Sequence, residues 1–278
     1  MNTETCLLTN FIRNNNIVSS CDFIPEQLNK GVVIYEVIRV IDSIPLFYNE
    51  HVERFYNSIK NYGLDIDLSK KSLTLRIKAL IQSNKLIDGN IKFQFSFNKD
   101  NQEIFTAWVC PFFYPNNKLY NIGISVKTIN AQRNNPGIKI NNSELAEKAN
   151  SIISKNNIYE VLLVNKNDLI TEGSRSNVFF VNNNNIYTPT TSSVLPGVTR
   201  LKVIEAANII GIKCFETEID INTISKFQGA FITGTSPKVL PINNINNTNF
   251  NPKHTTIKKI MNKYNRYIEN DHISFTWE

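Results

Sequence analysis

The sequence predicts an α/β protein made of two domains. Short apolar segments rich in β-branched residues alternate with segments whose apolar residues recur at helical spacing. The chain has 278 residues, which is enough for two modest domains. A Pro-Asn-Asn turn within residues 111–118 is the candidate linker. We therefore expect an N-terminal α+β domain over residues 1–115 and a C-terminal α/β domain over residues 119–278.

The N-terminal part shows strand patterns, then helix patterns, then strands again. Asn14–Asn16 suits the turn of a hairpin, because Asn favours turns between apolar runs. Asn49 and Ser69 suit the first positions of two helices, the first of which ends at Gly63. The expected strands are Cys6–Ile12, Ile17–Ser20, Val32–Ile41, Ile44–Phe47, Asn90–Phe97 and Glu103–Cys110, with both helices before the last two.

The C-terminal part alternates between strands and helices. Ser143–Asn156 and His254–Ile268 have apolar residues at helical spacing, and Val198–Ile210 is a helix that ends at Gly211. The expected strands are Asn121–Ile129, Tyr159–Val164, Val178–Val181, Asn185–Tyr187, Ile212–Ile219 and Ala230–Thr233, with a short helix before the last of them.

Composition and charge exclude several classes of protein. The net charge is +6, but the basic residues are spread along the chain without a nucleic-acid-binding motif, so we expect no nucleic-acid partner. No apolar run approaches the roughly 18 residues of a membrane span, and we expect neither a membrane segment nor a secretory signal. The four cysteines lack CxxC spacing and the three histidines form no metal pattern. These observations favour a cytoplasmic protein without a metal.

Two segments of the C-terminal part carry the strongest indication of chemistry. Thr171–Asn177 places an acid and small polar residues at a Gly-marked bend between apolar strands, and Leu195–Arg200 is a Pro-Gly turn that opens a helix. A helix start presents backbone N–H groups and the positive end of the helix dipole, both of which suit a phosphate. An acid together with a phosphate site suggests a phosphorylated cofactor that is held at two ends.

The residues of these segments resemble a known family. The run LITEGSRSNVFFV, followed by YTP and LPGVTR, is similar to the cofactor-binding signature of the class IV pyridoxal-phosphate aminotransferases. That family includes branched-chain amino-acid aminotransferase, D-amino-acid aminotransferase and aminodeoxychorismate lyase. The resemblance extends from Gly31 to Pro241. It implies fold type IV, as in D-amino-acid aminotransferase: two α/β domains with pyridoxal 5′-phosphate between them, assembled as a homodimer.

The resemblance implies that Lys139 is the catalytic lysine, which forms an imine with the cofactor aldehyde. Lys139 follows a loop that contains Pro136, as the family lysine follows a similar loop, and the C-terminal domain would therefore carry it. It precedes Glu172 by 33 residues, an interval similar to that in the family. Without the resemblance, Lys139 is read as a surface lysine. Three other lysines of the region lack this context: Lys127, Lys148 and Lys155.

Glu172 is implied to be the partner of the pyridine nitrogen of the cofactor. A carboxylate at that nitrogen keeps the ring protonated and able to accept electrons. Asn177 follows at the position that the family uses, within the same EGSRSN run. Two interpretations of Asn177 stay open, because it either orients the site or is a turn residue at the end of a strand.

The resemblance also implies four residues that hold the phosphate. Arg54 lies in the segment HVERF, which resembles an HxxR helix of the family, and a guanidinium matches phosphate oxygens well. Val198 and Thr199 begin a helix and offer backbone N–H groups. Thr235 lies in a TGTS turn that resembles a loop of the family, and the N–H groups of Thr235 and Ser236 are implied to hold the substrate carboxylate.

The substrate is indicated less directly. Ile34–Val40 resembles a strand of the D-amino-acid enzymes, in which Tyr35 would face the substrate. Those enzymes continue with an arginine and later a histidine that bind the substrate carboxylate. This chain instead has Phe97 and Asn98 at that point, which argues against a D-amino-acid enzyme.

An apolar or branched-chain amino acid, with its 2-keto acid, is therefore the leading substrate class. Phe95 and Phe97 favour an apolar pocket unless both belong to the sheet core, and Arg39 either binds a carboxylate or faces solvent. The alternative is aminodeoxychorismate lyase, because Pro136–Lys139 resembles a loop of that lyase. The same lysine and acid would then form 4-aminobenzoate and pyruvate.

Overall fold

The computed structural model describes residues 4–28, 31–97 and 103–277, except for the side chain of Phe97. Contacts divide the chain into two compact units. The first comprises Met1–Phe113, Ile138–Asn141 and Ile268–Glu278, and the second comprises Tyr114–Gly137 and Asn142–Tyr267. The boundary after Phe113 falls inside the expected linker, whereas the segment around Lys139 and the end of the chain lie with the first unit.

The first unit is built on an antiparallel sheet. Within its described residues, six strands follow the order β2-β1-β6-β5-β3-β4. Its elements are β1 (Asn10–Arg13), β2 (Asn16–Ser19), α1 (Pro25–Leu28), β3 (Val32–Ile41), β4 (Ile44–Pro45), α2 (Tyr48–Tyr62), α3 (Lys70–Asn84), β5 (Gly89–Phe97) and β6 (Glu103–Cys110).

One face of this sheet packs against α2 and α3. Successive side chains of a strand point to opposite faces, so the buried Ile34 and Ile38 of β3 share a face with Glu36. Phe55 of α2 and Ile77 of α3 are fully buried in the same hydrophobic cluster as the two isoleucines. Full burial of such a side chain contributes about 1.5–3 kcal/mol, which explains the regular apolar pattern of both helices.

The second unit is built on a larger mixed sheet. Ten strands within its described residues pair in the order β12-β11-β10-β14-β15-β7-β8-β9-β13, and β16 pairs with β15. Its elements are α4 (Asn117–Ile122), β7 (Ile124–Asn130), α5 (Ser143–Asn156), β8 (Glu160–Val164), β9 (Leu169–Gly173), β10 (Asn177–Asn182), β11 (Asn185–Thr188), α6 (Val198–Ile209), β12 (Cys214–Glu216), β13 (Ile219–Asp220), β14 (Gly229–Gly234), β15 (Lys238–Ile245), β16 (Thr248–Asn249) and most of α7 (Thr255–Ser274).

The ends of α2 and α3 test the predicted helix signals. Ser69 caps α3, because its side chain accepts a hydrogen bond from the backbone N–H of Ser72, and Gly63 ends α2 with a φ of 81°. Both predictions are confirmed. The prediction that Asn49 caps α2 is wrong, since the helix begins at Tyr48. Phe47 directly precedes the helix, and its backbone N–H donates a 2.7 Å hydrogen bond to the carboxylate of Asp271.

Strand β15 is the main element that the sequence pattern did not predict. The run Asn243–Asn247 favours a turn, because Asn suits turns and is depleted in strands; the turn forms at Asn246 and Asn247, whereas Asn243 and Asn244 lie in β15. In the structure β15 pairs with β14 on one side and β7 on the other. The amide of Asn243 donates hydrogen bonds to the carbonyl groups of Ile122 and Gly123. Pairing on both sides and satisfied amides therefore outweigh the local preference.

Gly123 gives a stability prediction for the second unit. Its φ of 76° and ψ of 172° lie in a region that is essentially restricted to glycine, and an added Cβ would lie 2.9 Å from the backbone nitrogen of Asn243. We expect Gly123→Ala to lower the free energy of unfolding by about 1–3 kcal/mol or more, measured by urea denaturation. Gly137→Ala is the control, because a Cβ there meets nothing within 4 Å. Equal stability of the two variants would contradict the prediction.

Candidate active site

Lys139 lies in the first unit, beside the strand that carries Tyr35. The backbone N–H of Tyr35 donates to the carbonyl of Lys139 at 3.0 Å, and Ile34 and Ile140 form an isolated β-bridge. The backbone N–H of Lys139 donates to Oγ of Ser58, in α2, at 3.3 Å. These contacts explain why residues 138–141 join the first unit. The Nζ of Lys139 lies 4.6 Å from the centre of the Tyr35 ring, so the structure brings two predicted site residues together.

Arg54 is held by a buried acid that the sequence analysis did not single out. Glu36 of β3 is fully buried beneath α2. Its Oε1 accepts a hydrogen bond from Nε of Arg54 at 2.7 Å, and its Oε2 accepts one from Nη2 at 2.7 Å. The Nδ1 of His51 lies 2.9 Å from the same Oε2. The HxxR spacing therefore places both α2 residues one helical turn apart, over one carboxylate.

The charge states of these three residues follow from burial and contact. Burial alone would raise the pKa of Glu36, but the charge and hydrogen bonds of Arg54, with those of His51, outweigh it and lower the pKa to about 2. Burial lowers the pKa of His51; the hydrogen bond and charge of Glu36 oppose this shift, and the charges of Arg54 and Lys139 add to it. Glu36 is therefore an anion at neutral pH, and a neutral His51 donates its Nδ1–H to it.

A second buried cation lies near Tyr35. The Nζ of Lys92, in β5, lies 4.7 Å from the centre of the Tyr35 ring and 5.4 Å from that of the Trp108 ring. Lys92 also forms an ion pair with Glu4. The sequence analysis did not single out Lys92, although polar residues alternate with apolar ones along β5, which indicates one polar face.

The sequence analysis left the role of the β5 phenylalanines open. Phe95 is buried in the helix-facing cluster with Ile34, so its interpretation as sheet core is confirmed and it gives no support to an apolar substrate pocket. The side chain of Phe97 and all of Asn98 lie outside the described residues. Arg39 is half-buried and shares the Tyr35 face of β3.

Glu172 lies in β9 of the second unit and is almost fully buried. Its Oε2 accepts a hydrogen bond from the backbone N–H of Leu195 at 3.2 Å. Its Oε1 lies 2.9 Å from Nε of Arg133, whose Nη2 donates to the carbonyl of Ser174. The predicted acid is thus anchored at the Leu195–Pro196–Gly197 turn. The sequence analysis did not predict Arg133 as its ionic partner.

The bend after Glu172 is organised by a second buried acid, Glu160. The Oε1 of Glu160 accepts a 2.6 Å hydrogen bond from Ser174, and its Oε2 accepts bonds from Oγ of Ser176 and the backbone N–H of Arg175. An added Cβ at Gly173 would lie 2.1 Å from Oγ of Ser176. The glycine and both serines of the EGSRSN run therefore have a structural role, because together they enclose the carboxylate of Glu160.

Asn177 links this bend to the start of α6. Its Nδ2 donates to the carbonyl of Leu195 at 2.9 Å, and an added Cβ at Gly197 would lie 2.1 Å from its Oδ1. The helix begins at Val198, with Val198 and Thr199 both buried and no side-chain cap on Gly197. Asn177 therefore makes contacts beyond those of a turn residue, since it fixes the turn that precedes the helix N-terminus.

The predicted Thr235–Ser236 turn lies beside the same strand end. Asn177 of β10 is paired with Thr233 of β14, and the chain turns directly after Gly234. Thr235 and Ser236 are half-buried in that turn. Register alone therefore brings this turn to the end of the sheet that holds Asn177.

The comparison with known proteins identifies the family. The family model for class IV amino-transferases matches residues 33–245. The chain belongs to the class IV aminotransferase family. Over 229 residues it is 28% identical to the D-alanine aminotransferase of Bacillus licheniformis, covering 77% of this chain and 79% of that protein.

Two further relatives carry branched-chain names. A protein of Methanocaldococcus jannaschii that is named for branched-chain-amino-acid transamination is 26% identical over 253 residues, covering 84% of this chain and 86% of that protein. The crystal structure of the branched-chain amino acid aminotransferase of Escherichia coli matches with a TM-score of 0.83 at 20% identity, covering 95% of this chain and 96% of that one. The predicted α/β fold of the class IV aminotransferases is thereby confirmed, and the structure shows it as a mixed α/β arrangement with two sheets.

Class IV aminotransferases depend on pyridoxal 5′-phosphate, and the residues of this chain fit that cofactor. The first unit supplies a lysine amine beside an aromatic ring and a guanidinium that is oriented by an acid. The second supplies a buried carboxylate and a helix N-terminus without a side-chain cap. Amine, cation, acid and helix start are the chemical groups that an aldehyde, a phosphate and a pyridine ring require.

The residues that the structure describes contain neither a candidate membrane span nor a candidate metal cluster. No helix there has the length and apolar character needed to cross a membrane. No group of three or more His, Cys, Asp or Glu side chains there has an arrangement that could hold a metal ion.

Glu160 gives a prediction for the geometry of the second unit. Glu160→Gln replaces one acceptor oxygen by an NH₂ group that must face buried O–H and N–H donors. We expect the free energy of unfolding to fall by about 1.5–3 kcal/mol, as for a hydrogen-bonded charged group, in urea denaturation. The exposed Glu218→Gln is the control. A Glu160→Gln variant as stable as Glu218→Gln would show that the three donors of the bend need no carboxylate.

Proposed function

We propose that this class IV aminotransferase transfers an amino group between an apolar or branched-chain amino acid and a 2-keto acid. The observation that carries the proposal is the position of the Lys139 amine, 4.6 Å from the Tyr35 ring on a segment fixed by backbone hydrogen bonds. Lys139 is held beside the Tyr35 ring and lies within the residues that match the family model. This position suits a catalytic lysine that bonds covalently to the cofactor.

The first unit would supply the amine and one phosphate contact. When bound, pyridoxal phosphate supplies an aldehyde that bonds to amines and a ring that accepts an electron pair. Lys139 would hold the cofactor through Nζ and, as a neutral amine, would take the Cα proton of the amino acid at that atom. Arg54 would contact the phosphate, since Glu36 already fixes the direction of its guanidinium.

The second unit would hold the ring and the rest of the phosphate. Glu172 would keep the ring nitrogen protonated, and its anchors at Leu195 and Arg133 hold the carboxylate in one orientation. Val198 and Thr199 would offer N–H groups at the start of α6. Asn177 supports this proposal, because it packs against the turn that leads into that helix.

The substrate would be bound by donors of the Thr235–Ser236 turn and would lie beside Tyr35. Thr235 is proposed to contact the phosphate with its hydroxyl, and the N–H groups of Thr235 and Ser236 to hold the substrate carboxylate. Tyr35 would face the substrate, because its ring already contacts the Lys139 amine. The branched-chain name of the M. jannaschii relative supports an apolar amino acid, and the residues Phe97 and Asn98 argue against the carboxylate-binding pair of the D-amino-acid enzymes.

Aminodeoxychorismate lyase activity is the second candidate. Its support is the loop Pro136–Lys139, which resembles that of the lyase. The same Lys139 and Glu172 would then serve an elimination that releases pyruvate. We also propose, from the family resemblance alone, that the enzyme is a cytoplasmic homodimer.

Replacement of the catalytic lysine tests the enzyme mechanism. We expect Lys139→Ala to abolish the covalent attachment of pyridoxal phosphate after borohydride reduction and to lower the transamination rate by about 10²–10⁴-fold or more. The measurement is the mass of the reduced protein, with peptide mapping of the labelled lysine. The exposed Lys127→Ala is the control and should label as the native protein does. Label on another lysine of the native protein would refute the assignment.

A substrate panel tests the proposed amino acid. We expect L-valine, L-leucine and L-isoleucine to convert the bound cofactor to its amino form in a single turnover, at rates at least about tenfold above that of D-alanine. A cofactor that reacts with D-alanine alone would overturn the proposed substrate class. Release of pyruvate from aminodeoxychorismate, without any keto acid acceptor, would instead establish the lyase.

A further inference from the structure

The donors to Glu36 all come from a single element. Glu36 lies on the helix-facing side of β3 and is fully buried. Both of its oxygens are bound from α2, by a two-pronged contact from Arg54 and by Nδ1 of His51. A carboxylate buried without such donors would be strongly unfavourable, so its presence on the otherwise apolar helix-facing side of β3 needs a reason.

We infer that Glu36 is a positioning residue for the cofactor phosphate: it holds the guanidinium of Arg54 in the orientation in which Arg54 binds that phosphate. His51 completes the arrangement by donating to the same carboxylate. This inference rests on the proposed role of Arg54 in cofactor binding. It adds to that role an acid that would never touch the cofactor itself.

The geometry of the contact supports the inference. A guanidinium carries five N–H donors in a rigid plane, and the fork of Nε and Nη2 to Glu36 uses two of them. This contact fixes the plane of the Arg54 guanidinium before any ligand binds. It also fixes the direction of the edge formed by Nη1 and Nη2. The side chain of Arg54 is 10% exposed to solvent, whereas the side chain of Glu36 is fully buried. The arginine is therefore the member of the pair that a phosphate can reach.

Two opposing effects decide whether Glu36 strengthens or weakens the binding of a phosphate by Arg54. The negative charge of Glu36 weakens the attraction between Arg54 and a phosphate. Against this, an arginine without Glu36 must lose its side-chain freedom on binding and has no partner that sets its plane. Charge-assisted, two-pronged contacts are strong because their geometry is fixed. We expect orientation to outweigh neutralisation, since His51 donates to the same anion and draws part of its charge away from Arg54.

The inference makes a claim about the phosphate and not about the fold as a whole. A residue that acts through Arg54 affects the binding of pyridoxal phosphate but not that of pyridoxal, which has the same ring and aldehyde without the phosphate. A residue that serves only the fold affects both ligands equally. The ratio of the two dissociation constants therefore separates the two roles.

The experiment compares dissociation constants of pyridoxal phosphate and pyridoxal for the native protein, Glu36→Gln, Arg54→Ala and the double variant. We expect Glu36→Gln to weaken pyridoxal phosphate binding by about 10- to 100-fold, as for the loss of a charge-assisted contact. Pyridoxal binding should change less than about twofold. Because Glu36 acts through Arg54, adding Glu36→Gln to Arg54→Ala should weaken pyridoxal phosphate binding no further.

Glu53→Gln is the matched control. Glu53 directly precedes Arg54 on α2, but its carboxylate is exposed and pairs with Lys70. Glu53→Gln removes the same charge as Glu36→Gln, next to Arg54 in the sequence, and we expect both dissociation constants to stay at the native values. If Glu36 acted only through its long-range charge, Glu53→Gln would change the dissociation constant of pyridoxal phosphate as Glu36→Gln does, and the inference would fail.

Distinct outcomes overturn the inference and the proposed function. The inference fails if Glu36→Gln weakens both ligands equally, leaves the ratio unchanged, or adds to the effect of Arg54→Ala. The proposed function fails if the native protein binds no pyridoxal phosphate at all. Should Glu36→Gln not fold by circular dichroism, Glu36→Asp decides in its place. Glu36→Asp keeps the charge but shortens the side chain, and it should raise the ratio of the pyridoxal phosphate dissociation constant to that of pyridoxal, as Glu36→Gln should.

Discussion

A buried carboxylate has to be matched by hydrogen-bond donors, and the placement of the candidate site residues depends on this constraint. Three acids are buried in the described part of the chain. Glu36 takes its donors from α2 and Glu160 from the bend that follows Glu172, whereas Glu172 accepts a hydrogen bond from Leu195 and forms an ion pair with Arg133. Leaving any of these anions unmatched would cost more than most single contacts contribute. Each acid therefore fixes the segment that supplies its donors.

The three acids serve different segments of the proposed cofactor site. Glu36 orients an arginine, Glu160 shapes the bend, and Glu172 itself is proposed to contact the cofactor. Glu172 and Asn177 are both tied to Leu195, by a backbone N–H donor and a carbonyl acceptor respectively. The turn before α6 is thereby fixed from two strands, β9 and β10. A helix start held in this way suits the binding of an anion, because its N–H groups keep one direction.

Much of the local structure follows from short-range patterns. The strand Val32–Ile41 appears as predicted, as do the Ser69 cap and the Gly63 end of α2. These features depend on neighbouring residues, through alternation, a side-chain cap and a left-handed backbone. Strand β15 was missed because two neighbouring strands stabilise it against the local preference of its asparagines. The Asn49 cap was wrong because α2 begins at Tyr48, and Asp271, 224 positions after Phe47, accepts a hydrogen bond from the backbone N–H of Phe47 at the helix start.

The sequence by itself determined the family, the fold class and the chemical types of the candidate residues. The EGSRSN and LPGVTR runs and the interval from Lys139 to Glu172 can be read along the chain, because they depend only on residue order. The tertiary structure alone decided the partners. Glu36, Lys92 and Glu160 stand out in the sequence as charges within apolar strands, but their partners lie on other elements. Lys139 likewise packs beside Tyr35, more than a hundred residues earlier. Burial makes these pairings necessary, and only the packed fold brings the partners within reach of one another.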